Sequence, residues 1–241
     1  MDYLIVFLMF GFLIFIHELG HFIAAKLSGI PIERFSIGIG PKLWSFRKGQ
    51  TEYYLSAFPV GGYVLPGIKD ENEFYQIPPS RRIIFALGGP LANIIFAALC
   101  LGFLNAITTE FSFYAVLILP FVQTADMASQ ILSSLPALFS KPGQLSGIVG
   151  VVAMGGQLVA GSFLKVLQLC IMLNINLAIL NLLPLPPLDG GKIVFCLLEK
   201  VHRSLVKLHM PVTIAGWILL MGLISYVTVI DVCKYVFKVY A

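Results

Sequence analysis

Two histidines and a glutamate interrupt an apolar run near the start of the chain, "FLIFIHELGHFIAA" (residues 12–25). An ionisable side chain at mid-bilayer costs about 2.5–3.5 kcal/mol on insertion scales, so its presence in such a run points to function. His17-Glu18-x-x-His21 has the spacing of a zinc-hydrolase signature. On a helix His17 and His21 stand one turn apart on one face, so both imidazoles can reach a single ion. Glu18 lies beside them, placed to take a proton from an attacking water.

Catalytic zinc usually takes three protein ligands and keeps one position open. The other histidines, His202 and His209, fall in a basic stretch. Asp189, in "NLLPLPPLDGG" (residues 181–191), is better placed. Pro184, Pro186 and Pro187 must break the helix there, and broken backbone at membrane depth is tolerated where it lines protein or a wet cavity. An acid at such a break suits a third ligand, although "LDGG" alone also suits a turn. In "GGPLAN" (residues 88–93), Gly88 and Gly89 allow close backbone approach. An Asn93 amide at this depth could steady an oxyanion or make an interhelical hydrogen bond. Asn174, Asn176 and Asn181 carry the same two readings. Cys100, Cys170, Cys196 and Cys233 show no metal or redox spacing and read as small buried hydrophobes.

The elements that must hold these residues are membrane helices. Of 241 residues 58% are hydrophobic and 12% charged, and the mean hydropathy is +0.91. These values exclude an ordinary soluble domain. The fold class expected is a polytopic α-helical membrane protein with about four transmembrane helices, near 3–25, 83–105, 163–184 and 212–233. The first reads as a retained span rather than a signal peptide, because Asp2 opens it and His17 and Glu18 interrupt it. A small membrane-associated β-region is expected at about 32–65, where Phe, Ile, Tyr and Val are punctuated by glycine. A polar loop with Asp70, Glu71 and Glu73 follows. Residues 106–160 read as interfacial or re-entrant, since "FYAVLILPFV" is short and contains Pro120. The whole of 1–241 is expected to form one domain.

Charge sets the expected orientation. Lys26, Arg34, Lys42, Arg47, Lys48, Lys69, Arg81 and Arg82 lie between the first two spans, and Lys192, Lys200, Arg203 and Lys207 between the last two. Between these groups come only Lys141 and Lys165, and Lys234 and Lys238 close the chain as a minor dissent. The positive-inside rule puts both rich loops in the cytosol and both termini outside. His17 to His21 then lie roughly 8–14 Å into the membrane from the cytosolic side at 1.5 Å per residue. Asp189 arrives at the same side. The net charge of +4 gives no sign of a nucleic-acid partner.

HELGH in the first span, "GGPLAN" and "NLLPLPPLDGG" together resemble the site-2 protease family of intramembrane zinc metalloproteases. "RFSIGIGPKLW", "TEYYLSAFPVGGYV" and "LSGIVGV" resemble segments of its bacterial branch, which works in regulated intramembrane proteolysis. The resemblance implies one Zn2+ held by His17, His21 and Asp189, with Glu18 as catalytic base. It also implies substrate-binding roles for Asn93, Asn176 and Asn181, with Pro184 and Pro186 shaping the site. Substrates would be single-span membrane proteins, such as anti-sigma factors or signal-peptide remnants, cut in the bacterial inner membrane. A site-1-type protease could act upstream, and the lipid bilayer is the remaining partner. The chain departs from the branch in two ways. Residues 106–140 are too short and apolar for the PDZ domain often found there, and Ser146-Gly147-Ile148 stands where the family often has "LSGP". The alternative reading is a membrane ion transporter or channel that uses intramembrane His, Glu and Asp.

Overall fold

The computed structural model describes residues 1–68, 71–109, 111–140, 146–201 and 208–237, with the side chains of 71–72 and 137–140 set aside. Lys69, Asp70, Lys141, His202, Arg203, Lys207 and Lys238 therefore lie outside the described residues. Among those described, five helices are long and apolar enough to cross a membrane, one more than expected. They are α1 (Asp2–Leu27), α3 (Pro79–Thr108), α4 (Leu119–Ser140) with the π-turn Tyr114–Ile118 before it, α6 (Phe163–Leu182) and α8 (His209–Asp231). Shorter helices are α2 (Glu71–Gln76), α5 (Ile148–Val159) and α7 (Asp189–Val201).

α1 ends where Gly29 enters the left-handed region at φ +67°. Ile30 N–H then bonds Ala25 O at 2.9 Å and Gly29 N–H bonds Lys26 O at 3.2 Å, a Schellman stop that turns the chain into the sheet. β1 (Ile32–Lys48) and β2 (Thr51–Pro66) form an antiparallel hairpin about Gly49-Gln50. Both strands bend, so Arg34 to Ile37 pair with Leu65 to Gly62 on one side and with Glu52 to Leu55 on the other. Phe35 stands in the middle of this folded sheet and packs its ring against Phe15 and Phe22 of α1. The bend near Pro59 reaches as far along α1 as Gly11, where a side chain would collide with the Pro59 carbonyl. The β-region therefore lies alongside the depth at which the histidines sit.

The helix directions follow from the contacts. His21 meets Phe85 and Phe12 meets Phe96, so α1 and α3 are antiparallel. Gly20 and Gly88 face each other, and a side chain on either would strike the other's carbonyl. Small residues give the close approach that membrane helices need. Phe163 at the start of α6 meets Phe103 near the end of α3, and Val6 packs with Leu169, so α6 runs with α1. Ala97, Leu101, Ile171 and Ile175 form the core between α3 and α6, with Met127 and Ile131 of α4 against it.

Pro120 does not break the third crossing. It cannot donate to the Val116 carbonyl, which instead abuts Gly102 of α3. Asn105 donates to the adjacent Ala115 carbonyl at 2.8 Å. With the Ala115 carbonyl bonded by α3 and the Val116 carbonyl packed against Gly102, the helix continues and Tyr114–Pro136 is long enough to span. α5 runs back beside α1, with Gly155 against Val6 and Gly161 N–H donating to Asp2 at 3.1 Å. Ala160 and Gly161, at φ 42° and 72°, then turn the chain into α6. Since α4 and α5 oppose one another, α6 keeps the direction of α1. The end of α6 therefore arrives at the level of His17 and His21.

Candidate metal centre

His17 Nε2 and His21 Nε2 lie 3.2 Å apart. Asp189 Oδ2, from α7, is 3.1 Å from each. The three residues are only 4–6% exposed. Tetrahedral ligands at the usual zinc distances of about 2.0–2.1 Å stand about 3.3 Å apart, close to this triangle. Two imidazole lone pairs and a carboxylate oxygen converging without a cation repel one another. Two nitrogen donors also suit zinc better than magnesium or calcium. The residues fit a catalytic zinc site with three protein ligands.

The polypeptide reaches this geometry through the break after α6. Leu183 leaves the helix at ψ 141°, and the prolines bar its continuation. Gly190 and Gly191 let α7 start against the carbonyls of Leu182, Leu183 and Leu185, where any side chain would collide. Asp189 is thus the first residue of α7. Lys192, one turn on, donates to its other oxygen, Oδ1, at 2.8 Å. Burial alone would raise the Asp189 carboxyl. The Lys192 charge opposes that effect and favours the ionised carboxylate.

α3 closes the site from behind. His21 Nδ1 donates to the Phe85 carbonyl at 2.8 Å. One turn on, Gly89 faces the imidazoles, and a Cβ there would stand 2.5 Å from His21 Nε2 and 2.6 Å from His17 Nε2. A further turn brings the Asn93 carboxamide to 3.1 Å from His17 Nδ1. The far end of α7 is tied to the start of α3 by a buried ion pair between Arg82 and Glu199. Arg82 Nε also donates to Ile77 O at 3.0 Å.

In front of the triangle opens a cavity of about 610 Å³, walled by Glu18, Tyr63, Val64, Asn181, Pro186 and Trp217 among others. The second half of β2 borders it, and a side chain at Gly62 would approach Glu18 Cγ to 3.0 Å. Of the residues singled out from sequence, His17, Glu18, His21 and Asp189 come together, with Asn181 and Pro186 on the same wall. Four others, Asn93, Asn174, Asn176 and Pro184, do not line the cavity, and Asn174 is fully buried. Asn93 is fully buried behind His17. Asn176 turns back to donate to Met172 O at 3.1 Å, and Pro184 is exposed at the helix end. Sequence reasoning missed Lys192, whose spacing from Asp189 shows only once α7 is known to begin there. It also left His209 in a loop. His209 instead begins α8, lines the cavity and shares a 3.0 Å hydrogen bond with Tyr75 Oη.

The family model of peptidase family M50 matches residues 5–224. The chain is 26% identical to a protein of Fusobacterium nucleatum over 97% of itself and 99% of that protein. It is 28% identical to one of Clostridium perfringens over 93% and 96%. A Helicobacter pylori protein is 43% identical over 42% of this chain and 33% of its own length. All three are named "putative zinc metalloprotease". The first of these alignments runs over 340 positions, so that relative carries residues with no counterpart in the 241 here. The chain belongs to peptidase family M50, the site-2 proteases, which are zinc metalloendopeptidases.

Proposed function

We propose that this protein hydrolyses peptide bonds within or near transmembrane segments of single-span membrane proteins, as a step of regulated intramembrane proteolysis. One observation carries the reading. His17, His21 and Asp189 converge inside an apolar bundle and open on a cavity that Glu18 also lines. Zinc held by these three supplies Lewis acidity and a means of ionising water near neutral pH. Glu18 takes the proton of the attacking water and returns it to the leaving amine. Asn181 Nδ2 spends one hydrogen on Leu177 O at 2.9 Å, which leaves its second for a substrate carbonyl.

A transmembrane substrate must unwind before its amides can be reached. The second half of β2 pairs with β1 on one side and borders the cavity with Tyr63 and Val64. This supports recognition of an extended substrate by strand addition. The charge distribution favours a site opening toward the cytosolic face of the inner membrane, with both termini outside. The test is reconstitution with a panel of single-span proteins. Glu18→Gln is expected to keep zinc and lose cleavage, and His21→Ala to lose both. Cleavage at the native rate by Glu18→Gln would contradict the assignment.

A further inference from the structure

We infer that Asn93 is a positioning residue whose carboxamide oxygen accepts a hydrogen bond from His17 Nδ1–H and thereby aims the Nε2 lone pair at the metal position. The inference rests on the zinc-site reading above. A neutral imidazole carries one N–H. At His17 and His21 the nitrogen facing Asp189 is Nε2. To act as a ligand that atom must hold a bare lone pair, so the proton sits on Nδ1 and needs an acceptor.

At His21 the Nδ1–H donates to the Phe85 carbonyl at 2.8 Å, the shorter of two contacts at this nitrogen, which the Gly89 N–H also approaches at 3.3 Å. At His17 the neighbouring polar group is Asn93, 3.1 Å from Nδ1. Asn93 is 0% exposed, so solvent cannot substitute. With the amide nitrogen toward His17, two N–H groups face each other. A half-turn of the carboxamide exchanges two nearly isosteric atoms and removes the conflict at Nδ1. The proton inventory therefore selects the oxygen. Phe85 and Asn93 are eight residues apart on α3, with Gly89 midway, and they meet His21 and His17 on the antiparallel α1. α3 thus provides one acceptor for each ligand, a main-chain carbonyl for one and a side-chain amide for the other. This role differs from contact with substrate, because Asn93 does not line the cavity.

The test uses the full chain in lipid nanodiscs. Zinc affinity is measured by competition with a chromophoric chelator for the native protein, Asn93→Leu, Asn93→Ala and Asn93→Asp. Cobalt(II) absorption reports the ligand field, and thermal unfolding of the zinc-free forms shows whether each variant folds. Asn93→Leu and Asn93→Ala are expected to weaken zinc binding by about 10–100-fold, the usual effect of removing such a partner. Asn93→Asp keeps an acceptor and is expected to retain affinity near native. Unchanged zinc affinity and cobalt spectrum in folded Asn93→Leu or Asn93→Ala, with kcat alone reduced, would overturn the inference and return Asn93 to a substrate role. Failure of the native chain to bind zinc at all would instead remove the metal-centre reading beneath it.

Discussion

Gly89 lies against His17 so closely that a methyl group on it would stand 2.6 Å from the imidazole Nε2. The ligand triangle has space for an ion only because this position of α3 carries no side chain. Gly89→Ala is therefore expected to abolish stoichiometric zinc binding. The α1–α3 approach at Gly20 and Gly88 is untouched, so helicity should persist. Metal analysis with circular dichroism decides the matter. Full zinc content in a folded Gly89→Ala protein would show that the triangle opens elsewhere.

The ion pair between Arg82 and Glu199 holds α7, and with it Asp189, against α3. Both side chains are largely buried, so removing one leaves a charge without its partner. Arg82→Met is expected to destabilise the protein by about 3–5 kcal/mol. Replacing both residues with apolar side chains should recover most of that loss. Unfolding of the single and double variants in detergent gives the comparison. A double variant as unstable as the single would mean that Arg82 acts mainly through Ile77 O and through the rings of Phe74 and Tyr75, which lie 5.2 and 5.4 Å from its guanidinium carbon.

Much of the metal centre was legible because helix geometry alone pairs His17 with His21. The proline run likewise forces the chain open before Asp189. The place of Asn93 behind His17 was not legible, since it depends on which side of His17 the neighbouring helix passes. Asn176 and Asn181 are five residues apart, about 140° around a helix. They cannot both face one cavity, and the structure selects Asn181. The third crossing was missed because Pro120 reads as a breaker. Its stranded carbonyl is accommodated by Gly102, a tertiary contact that no local pattern encodes.

Asp231 sits within α8 and is 1% exposed. Its Oδ2 accepts from Gly147 N–H and Gly150 N–H, each at 2.8 Å, and so caps the start of α5. Asp231→Ala leaves these donors unsatisfied and should cost about 1–3 kcal/mol. Asp231→Asn, which keeps an acceptor, should cost less. Thermal melts of the reconstituted variants provide the measurement. Equal melting of native and alanine forms would mean that α5 finds another cap.

The strand-addition reading predicts a position-dependent effect along 61–65. Proline lacks the N–H an edge strand offers a substrate. Proline at Val64 or a neighbouring edge position should slow cleavage of a transmembrane substrate while zinc content stays native. Unchanged cleavage across several such substitutions would count against this edge as the docking strand.

In the proposed centre one zinc ion joins residues of α1 and α7. X-ray absorption at the zinc edge of the purified, metal-loaded protein tests it most directly. The expected spectrum has two imidazole nitrogens with the remaining ligands oxygen and none sulfur, at one zinc per chain. His17→Ala with His21→Ala should abolish the signal. A sulfur ligand, or one tightly held zinc surviving the loss of both histidines, would contradict the account.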